Sequence, residues 1–263
     1  MAELGLADIR GDGQGYHAYH APRFRYLLEL IDRYLPGQGG RILDIGPSPL
    51  TELLRQRAPC AVETLGLEPE GHFGPGHRHI HFDLNTLRDP RTPRPTLPRY
   101  DLIVLAEVLE HLYTAPRPVL RFLHEALKEG GILLLQTPNA ASLPKRIKLL
   151  LGRNPYDPIR EAPGNPGHFR EYTLPELRRL VAESGFAVLE DSRRFYFDAR
   201  FAHHEGDVAR PQPVVGTLKN LLYRALPGFL REGVTLVLRA GAATPQTEPG
   251  GWGGGQNNTP PHR

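Results

Sequence analysis

Cysteine is almost absent. Cys60 is the only one in 263 residues, so no intramolecular disulfide can form and the chain suits a reducing cytoplasm. It lies between Pro59 and an apolar run with no base nearby in sequence, so its thiol lacks the surroundings of a nucleophile. No apolar run approaches the roughly 20 residues of a membrane span. The opening segment, Met1 to Gly13, carries Glu3, Asp8 and Asp12 where a secretory leader would need an apolar core. Charge is not gathered into blocks: the net value is +3, the pI is 9.1, and the arginines are spread along the chain. Such diffuse basicity weakly favours anionic partners and does not argue for nucleic acid. A full G-x-G-x-x-G is missing, which counts against a pyrophosphate ligand and hence against NAD or FAD. Hydrophobic and charged contents of 40% and 23% are ordinary for a globular protein, and the length accommodates one core with a small appendage. These absences lead us to expect a soluble, cytoplasmic protein.

What is present alternates between strand and helix, punctuated by Gly and Pro. An amphipathic helix is expected over Ala21 to Leu35, ended by Pro36-Gly37. Strands are expected at Arg41–Ile45, Ala61–Leu67, His79–Phe82, Asp101–Leu105 and Gly131–Gln136. Helices are expected at Thr51–Gln56 and at Pro116–Leu127, the latter stopped by Gly130-Gly131. That repetition predicts an α/β fold with a doubly wound parallel sheet. Asp89 to Pro98, with four prolines, reads as a loop. Beyond Thr137-Pro138-Asn139 comes an insertion with a basic, apolar helix at Leu143–Leu151 and then a Pro/Gly-rich loop to Gly167. Leu174 to Ser184 is a helix capped by Thr173, with Pro175 in its first turn and Gly185 closing it. Strands at Phe186–Glu190, with a continuation toward Phe197, and at Val234–Arg239 complete the sheet. Between them, Val214 to Leu226 is apolar at helical spacing. The domain reading is an N-terminal segment 1–18, a domain 19–240 whose insertion 140–172 covers the site, and a disordered tail 241–263.

Three strand ends carry candidate binding residues. Arg41-Ile-Leu-Asp44-Ile-Gly46 ends in Asp-x-Gly before a tight Pro47-Ser48-Pro49 turn, and Gly46 lets the backbone approach a ligand. Glu68 follows Gly46 by 22 residues, near the spacing at which a carboxylate meets ribose hydroxyls. Asp83, in Asp83-Leu84-Asn85, is placed to take an adenine amino proton while Leu84 covers the ring. A fourth strand, Leu102 to Ala106, runs into Glu107, Glu110 and His111. Their i, i+3, i+4 spacing predicts one face of a helical turn at the carboxyl end of a central strand, where open α/β sheets keep their chemistry. Two carboxylates and an imidazole suit Mg²⁺ or Mn²⁺, with zinc as an alternative.

Asp44-Ile-Gly46, Glu68, Asp83-Leu84-Asn85, the run Tyr100-Asp-Leu-Ile-Val…Glu107-Val-Leu-Glu110-His111, and Leu127-Lys-Glu-Gly-Gly-Ile-Leu-Leu-Leu-Gln-Thr-Pro-Asn139 together resemble the class I S-adenosylmethionine-dependent methyltransferases. Within that family the pattern resembles methyltransferase types 11, 12 and 23 and is similar to ubiquinone-biosynthesis-type O-methyltransferases. The resemblance covers about residues 20–240. It implies a Rossmann-like, doubly wound seven-stranded sheet whose last strand, here Val234–Arg239, is antiparallel. It also implies S-adenosylmethionine as cofactor, with Asp44 and Gly46 beside the methionine part, Glu68 on the ribose, Asp83 and Leu84 at the adenine, and Glu107 lining the pocket. In the glycine loop, the family's second and third glycines are Ser48 and Leu50 here.

Glu107-x-x-Glu110-His111 resembles the metal-binding motif of ubiquinone-biosynthesis O-methyltransferases and of small-RNA 3′-terminal 2′-O-methyltransferases. His168-Phe-Arg-Glu-Tyr-Thr173 stands where the RNA enzymes have a further histidine. The resemblance therefore implies a metal held by Glu107, Glu110, His111 and His168, which would lower the pKa of an acceptor hydroxyl. The other reading has no metal: Glu107 lines the cofactor pocket, and His111 or His168 is the general base. His72, His77, His79 and His81 read as a solvated loop and strand face rather than a zinc site, and His203-His204 as surface residues. Tyr16, Tyr19 and Arg23 either lid the cofactor or pack in the core.

The expected reaction is O-methylation of a small-molecule, glycan or lipid-linked acceptor. RNA 2′-O-methylation would need a basic, aromatic-studded surface that the sequence does not show. A silent cofactor-binding partner protein is the third reading. The basic apolar stretch at 143–151 and the apolar stretch at 214–226 either pack on the core or a second subunit, or meet a lipid-linked substrate or membrane surface.

Overall fold

The computed structural model describes residues 14–35, 39–56, 60–161, 166–201 and 213–241. His203, His204, the expected tail and most of the N-terminal segment lie outside them, as does the side chain of Tyr16. Helix α1 spans Gln14–Tyr34, β1 Arg41–Ile45, α2 Pro49–Gln56, β2 Ala61–Gly66 and β3 His79–His81. Then come β4 Tyr100–Ala106, α3 Pro116–Ala126, β5 Leu127–Pro138, α4 Leu143–Leu150, α5 Leu174–Ala182, β6 Phe186–Arg194, α6 Pro213–Ala225 and β7 Gly233–Ala240. The seven strands form one sheet in the order β3-β2-β1-β4-β5-β7-β6. β1 to β5 are mutually parallel, and β7 runs antiparallel to both β5 and β6. This is the expected Rossmann-like α/β sheet, with its reversed last strand inserted beside β5.

Successive residues of the central strands point to opposite faces, and both faces are apolar. Leu43, Ile45, Ile103, Leu105, Leu133 and Leu135 enter the core shared with α3 and α5. Ile42, Leu102, Val104, Ile132 and Leu134 enter the core shared with α1 and α2. Burial on both faces explains why these strands read as unbroken hydrophobic runs.

Some boundaries move. The predicted stop at Gly130-Gly131 falls inside a strand: α3 ends at Ala126 and β5 begins at Leu127 opposite Tyr100. The glycines absorb a register slip between Tyr100 and Leu102, with Gly130 at φ +73°. β6 ends at Arg194, short of Phe197. The largest correction concerns Glu107, Glu110 and His111, which do not share a helical face. Glu107 takes a left-handed φ of +56° directly after β4, and only Leu109–His111 form a single 3₁₀ turn. The Glu107 side chain pairs with Arg23, while its charge still reaches Glu110.

The insertion leaves and re-enters at one point. Asn139 and Tyr172 form a parallel bridge, and Ala140 N–H donates to the Tyr172 carbonyl at 3.0 Å. Asn139 Nδ2 donates to the carbonyls of Phe229 (3.3 Å) and Arg231 (2.8 Å), tying that point to the entry of β7.

Candidate active site

A cavity of about 620 Å³ opens at the carboxyl ends of β1, β2 and β3, with Gly46, Glu68, Asp83, Leu84, Tyr113 and Phe169 among its lining residues. Gly46 is at φ +71°, and a Cβ there would come within 2.8 Å of Val108 Cγ2. Strain and collision act together, so Gly46→Ala should cost about 1–3 kcal/mol of stability and weaken cofactor binding at least about tenfold, read by thermal melting and calorimetry. Glu68 projects a carboxylate whose Oε2 is buried without a hydrogen-bond partner. Its backbone carbonyl is gripped by His79 Nε2 (2.9 Å) and His81 Nδ1 (3.0 Å). Asp83 caps the 3₁₀ turn Leu84–Arg88, accepting from Asn85 N–H at 2.8 Å, and Leu84 is buried against the cavity.

Asp44 does not itself line the cavity. It is buried below the loop and accepts a 2.6 Å hydrogen bond from Thr51 Oγ1, which itself accepts from Ser48 N–H. Asp44 thus anchors the Pro47–Leu50 turn through Thr51, and Ser48 Oγ accepts from Leu50 N–H at 3.3 Å. Burial raises the Asp44 carboxyl to a pKa of about 7. The folded value lies above the unfolded one, so the associated stability is present at low pH and is lost as pH rises through about 7. Asp44→Asn, which keeps an acceptor for Thr51, should flatten the fall in melting temperature between about pH 4 and 7.

Two cavities adjoin the first. One, of about 460 Å³, is lined by Arg23, Ser48, Glu107, His111 and His168, among others. The other, of about 410 Å³, includes Tyr156, Asp157, His168 and Glu171 in its lining. Arg23 lies 3.6 Å from Glu107, an ion pair almost out of solvent. Burial raises the Glu107 carboxyl, while Arg23 opposes that shift. Glu110 is completely buried. Its Oε2 accepts from Thr137 Oγ1 at 3.0 Å, and its Oε1 has no partner. Burial, then the charge of Glu107, raises this carboxyl well above the usual range. The Glu110 carbonyl accepts from Phe169 N–H at 2.8 Å, holding the insertion's returning segment over the site.

His111 Nδ1 meets the Gly167 carbonyl at 3.0 Å, and His168 Nδ1 meets Glu171 Oε1 at 3.0 Å. Oxygen acceptors at both Nδ1 atoms favour the Nδ1–H tautomer and leave each Nε2 with a lone pair. The rings meet edge-on with centroids 4.7 Å apart. Burial, then His111, lowers the His168 pKa to about 4, so it is neutral at pH 7. One ligand atom each from Glu110, His111 and His168 lies within 4.8 Å of the others. The structure thus gathers three of the four predicted ligands, and Glu107 pairs with Arg23 instead.

The family described as methyltransferase domain matches residues 19–191. The chain belongs to that family. A probable S-adenosylmethionine-dependent methyltransferase of Mycolicibacterium smegmatis is 31% identical over 116 residues, 43% of this chain and 39% of that protein. A similarly named Mycobacterium tuberculosis protein is 34% identical over 86 residues, 33% of this chain and 26% of its own length. This methyltransferase-family chain therefore aligns with less than half the length of these curated relatives. A S-adenosylmethionine-dependent methyltransferase of Archaeoglobus fulgidus superposes with a TM-score of 0.53 over 86% of this chain and 97% of its own. At 15% identity that likeness shows the fold.

Residues that the sequence did not single out also stand at this site. His79, expected on a solvated face, is buried and joins Thr64 Oγ1 (2.8 Å) to the Glu68 carbonyl. Gly66 leaves room for Glu68: a Cβ there would stand 2.5 Å from Glu68 Oε2. Asn85 Oδ1 accepts from Tyr113 N–H (2.8 Å) and Thr114 N–H (3.2 Å), fixing the cavity's far wall. Lys145 pairs with Glu171, which holds His168. Of the aromatic candidates, Tyr19 stacks on Phe197 with centroids 4.8 Å apart, which is packing rather than a lid.

Proposed function

We propose that this chain binds S-adenosylmethionine in the 620 Å³ cavity and methylates an oxygen of a small-molecule, glycan or lipid-linked acceptor. One observation carries the reading. His111 lines both that cavity and the adjoining 460 Å³ cavity, where His168 stands beside it. An imidazole pair at the junction of a cofactor-sized pocket and a second pocket supplies a proton acceptor for transfer to a hydroxyl. When bound, the cofactor supplies an electrophilic methyl group on a sulfonium. The residues around it have three tasks: to grip the ribose through Glu68 and the adenine through Asp83 and Leu84, to align the acceptor oxygen about 3 Å from the methyl carbon, and to take its proton at an Nε2 lone pair. An imidazole here would take up the proton that the acceptor hydroxyl loses as the methyl group is transferred.

A divalent ion fits the same residues. The partnerless Oε1 of Glu110 and the two histidines, each oriented through Nδ1, offer one oxygen and two nitrogens. Mg²⁺ or Mn²⁺ there would lower the pKa of the acceptor hydroxyl.

The direct test is calorimetry with S-adenosylmethionine, followed by a screen of hydroxylated acceptors using methyl-labelled cofactor. No binding at millimolar cofactor would end the reading. The metal has its own test: Mn²⁺ should bind the wild type, by electron paramagnetic resonance, and not His168→Ala. Activity that survives EDTA, with no Mn²⁺ signal lost in the variant, would leave the histidines as bases.

A further inference from the structure

Helix α6 presents the wrong face to the protein. Its inward side carries Gly216, packed against the Ala199–Arg200 backbone, and Asn220, which bonds Ala199 N–H (2.9 Å) and Asp198 (2.8 Å). Tyr223 continues that side, stacked on Phe195 with centroids 4.6 Å apart. The opposite side bears Val214, Leu218, Leu221 and Leu222, with Val214 82% and Leu218 68% exposed. Lys219 and Arg224 flank this apolar stripe, where long cationic side chains can reach past it.

Helix α4 repeats the arrangement. It buries no residue, and Ile147, Leu149, Leu150 and Leu151 are exposed, Leu150 to 86%. The two surfaces adjoin, since the Arg146 guanidinium lies 5.8 Å over the Phe229 ring, which follows α6 and is itself half exposed. Residues 143–156 and 213–231 contain seven Lys or Arg and no Asp or Glu. Beside them a cavity of about 450 Å³ is lined by Arg193, Arg194, Arg224 and Arg231, together with Tyr26 and Ser192. Arg231 donates to backbone carbonyls, and no carboxylate pairs with any of the four among the described residues.

We infer that α4, α6 and the intervening Phe229 form a docking surface for an anionic phospholipid bilayer, with the arginine cavity receiving a lipid phosphate. Exposed leucines beside Lys148, Lys219 and Arg224 match the amphipathic interface between acyl chains and anionic headgroups. A second copy is the poorer occupant, because a two-fold contact would set these cations against their own images. The surface surrounds the point where the insertion leaves β5, so docking would hold the 410 Å³ cavity close to the headgroup layer. That last link rests on the proposed methyl transfer; the docking itself does not.

Vesicle co-sedimentation of the full chain tests it without cofactor or acceptor, so its failure leaves the methyltransferase reading intact. At low salt, the wild type should sediment with phosphatidylcholine vesicles containing about one-third phosphatidylglycerol, and at least about tenfold more weakly with phosphatidylcholine alone. Leu218→Ser with Leu222→Ser, and separately Lys219→Glu with Arg224→Glu, should each lower anionic-vesicle binding by about tenfold or more. These positions are exposed, so melting temperatures should stay unchanged; Leu150→Ser on α4 gives a second arm should an α6 variant misfold. Three results would overturn the inference: wild type left in the supernatant, folded variants that bind like wild type, or a dimer in solution that Leu218→Ser with Leu222→Ser converts to monomer.

Discussion

Glu68→Ala should weaken S-adenosylmethionine binding about a hundredfold in calorimetry while leaving the melting temperature within a few degrees. The Glu68 side chain lines the cavity and is 37% exposed, with Oε2 tucked 3.9 Å from His79 Nε2, so the open part of the carboxylate is available to donors from outside. Two charge-assisted hydrogen bonds to vicinal hydroxyls contribute about 1.5 kcal/mol each or more, and 3 kcal/mol is a little over a hundredfold in affinity. The local backbone should survive, because His79 and His81 hold the residue by its carbonyl rather than its carboxylate. Glu68→Gln, which keeps one acceptor oxygen, should fall between. A variant within threefold of wild type would move the ribose elsewhere.

Glu110→Gln carries the second large effect. The amide keeps an oxygen for Thr137 and replaces the partnerless Oε1 with an NH₂ group facing His111 and His168. Methyl transfer should fall by about 10²–10⁴, the range expected for losing a positioned acid–base or ligand group, with cofactor affinity changed less than about twofold. Stability should move the other way. The folded pKa of Glu110 is raised above its unfolded value by burial, so its stabilising contribution is complete at low pH and declines as pH rises through the folded value. The variant should therefore gain melting temperature relative to wild type at pH 8 and lose that advantage near pH 4. Transfer rates equal to wild type would remove Glu110 from the chemistry.

The sheet was legible because burial on both faces leaves an unmistakable mark: Leu102–Leu105 and Ile132–Leu135 have no polar residue to hide. Glu68 and Asp83 were legible because strand ends in such sheets have fixed neighbours, and their spacing survives without any side-chain geometry. The Glu107 turn was not. Nothing in Ala106-Glu107-Val108 announces a left-handed residue, since the conformation is imposed by the surrounding packing and not by glycine or asparagine. His79 escaped for a related reason. Its alternating setting on an edge strand fits either solvent or a buried bond to Thr64, and only the return of Glu68 over it decides. The outward apolar face of α6 was equally hidden, because helical periodicity marks a stripe without saying which side the protein occupies.

The pinched base of the insertion has an evolutionary consequence. Because the chain departs at Asn139 and returns at Tyr172 through a single bridge, the segment between them is a cassette whose length and content can vary without disturbing the strands on either side. Gly46, Glu68 and Asp83 lie on loops that the cassette does not interrupt. Descent with such an architecture can rewrite what the protein acts on while Gly46, Glu68 and Asp83 are inherited unaltered, and a graft of a foreign cassette between Asn139 and Tyr172 is the corresponding engineering route, provided it keeps Phe169 in the cavity wall and His168 beside His111.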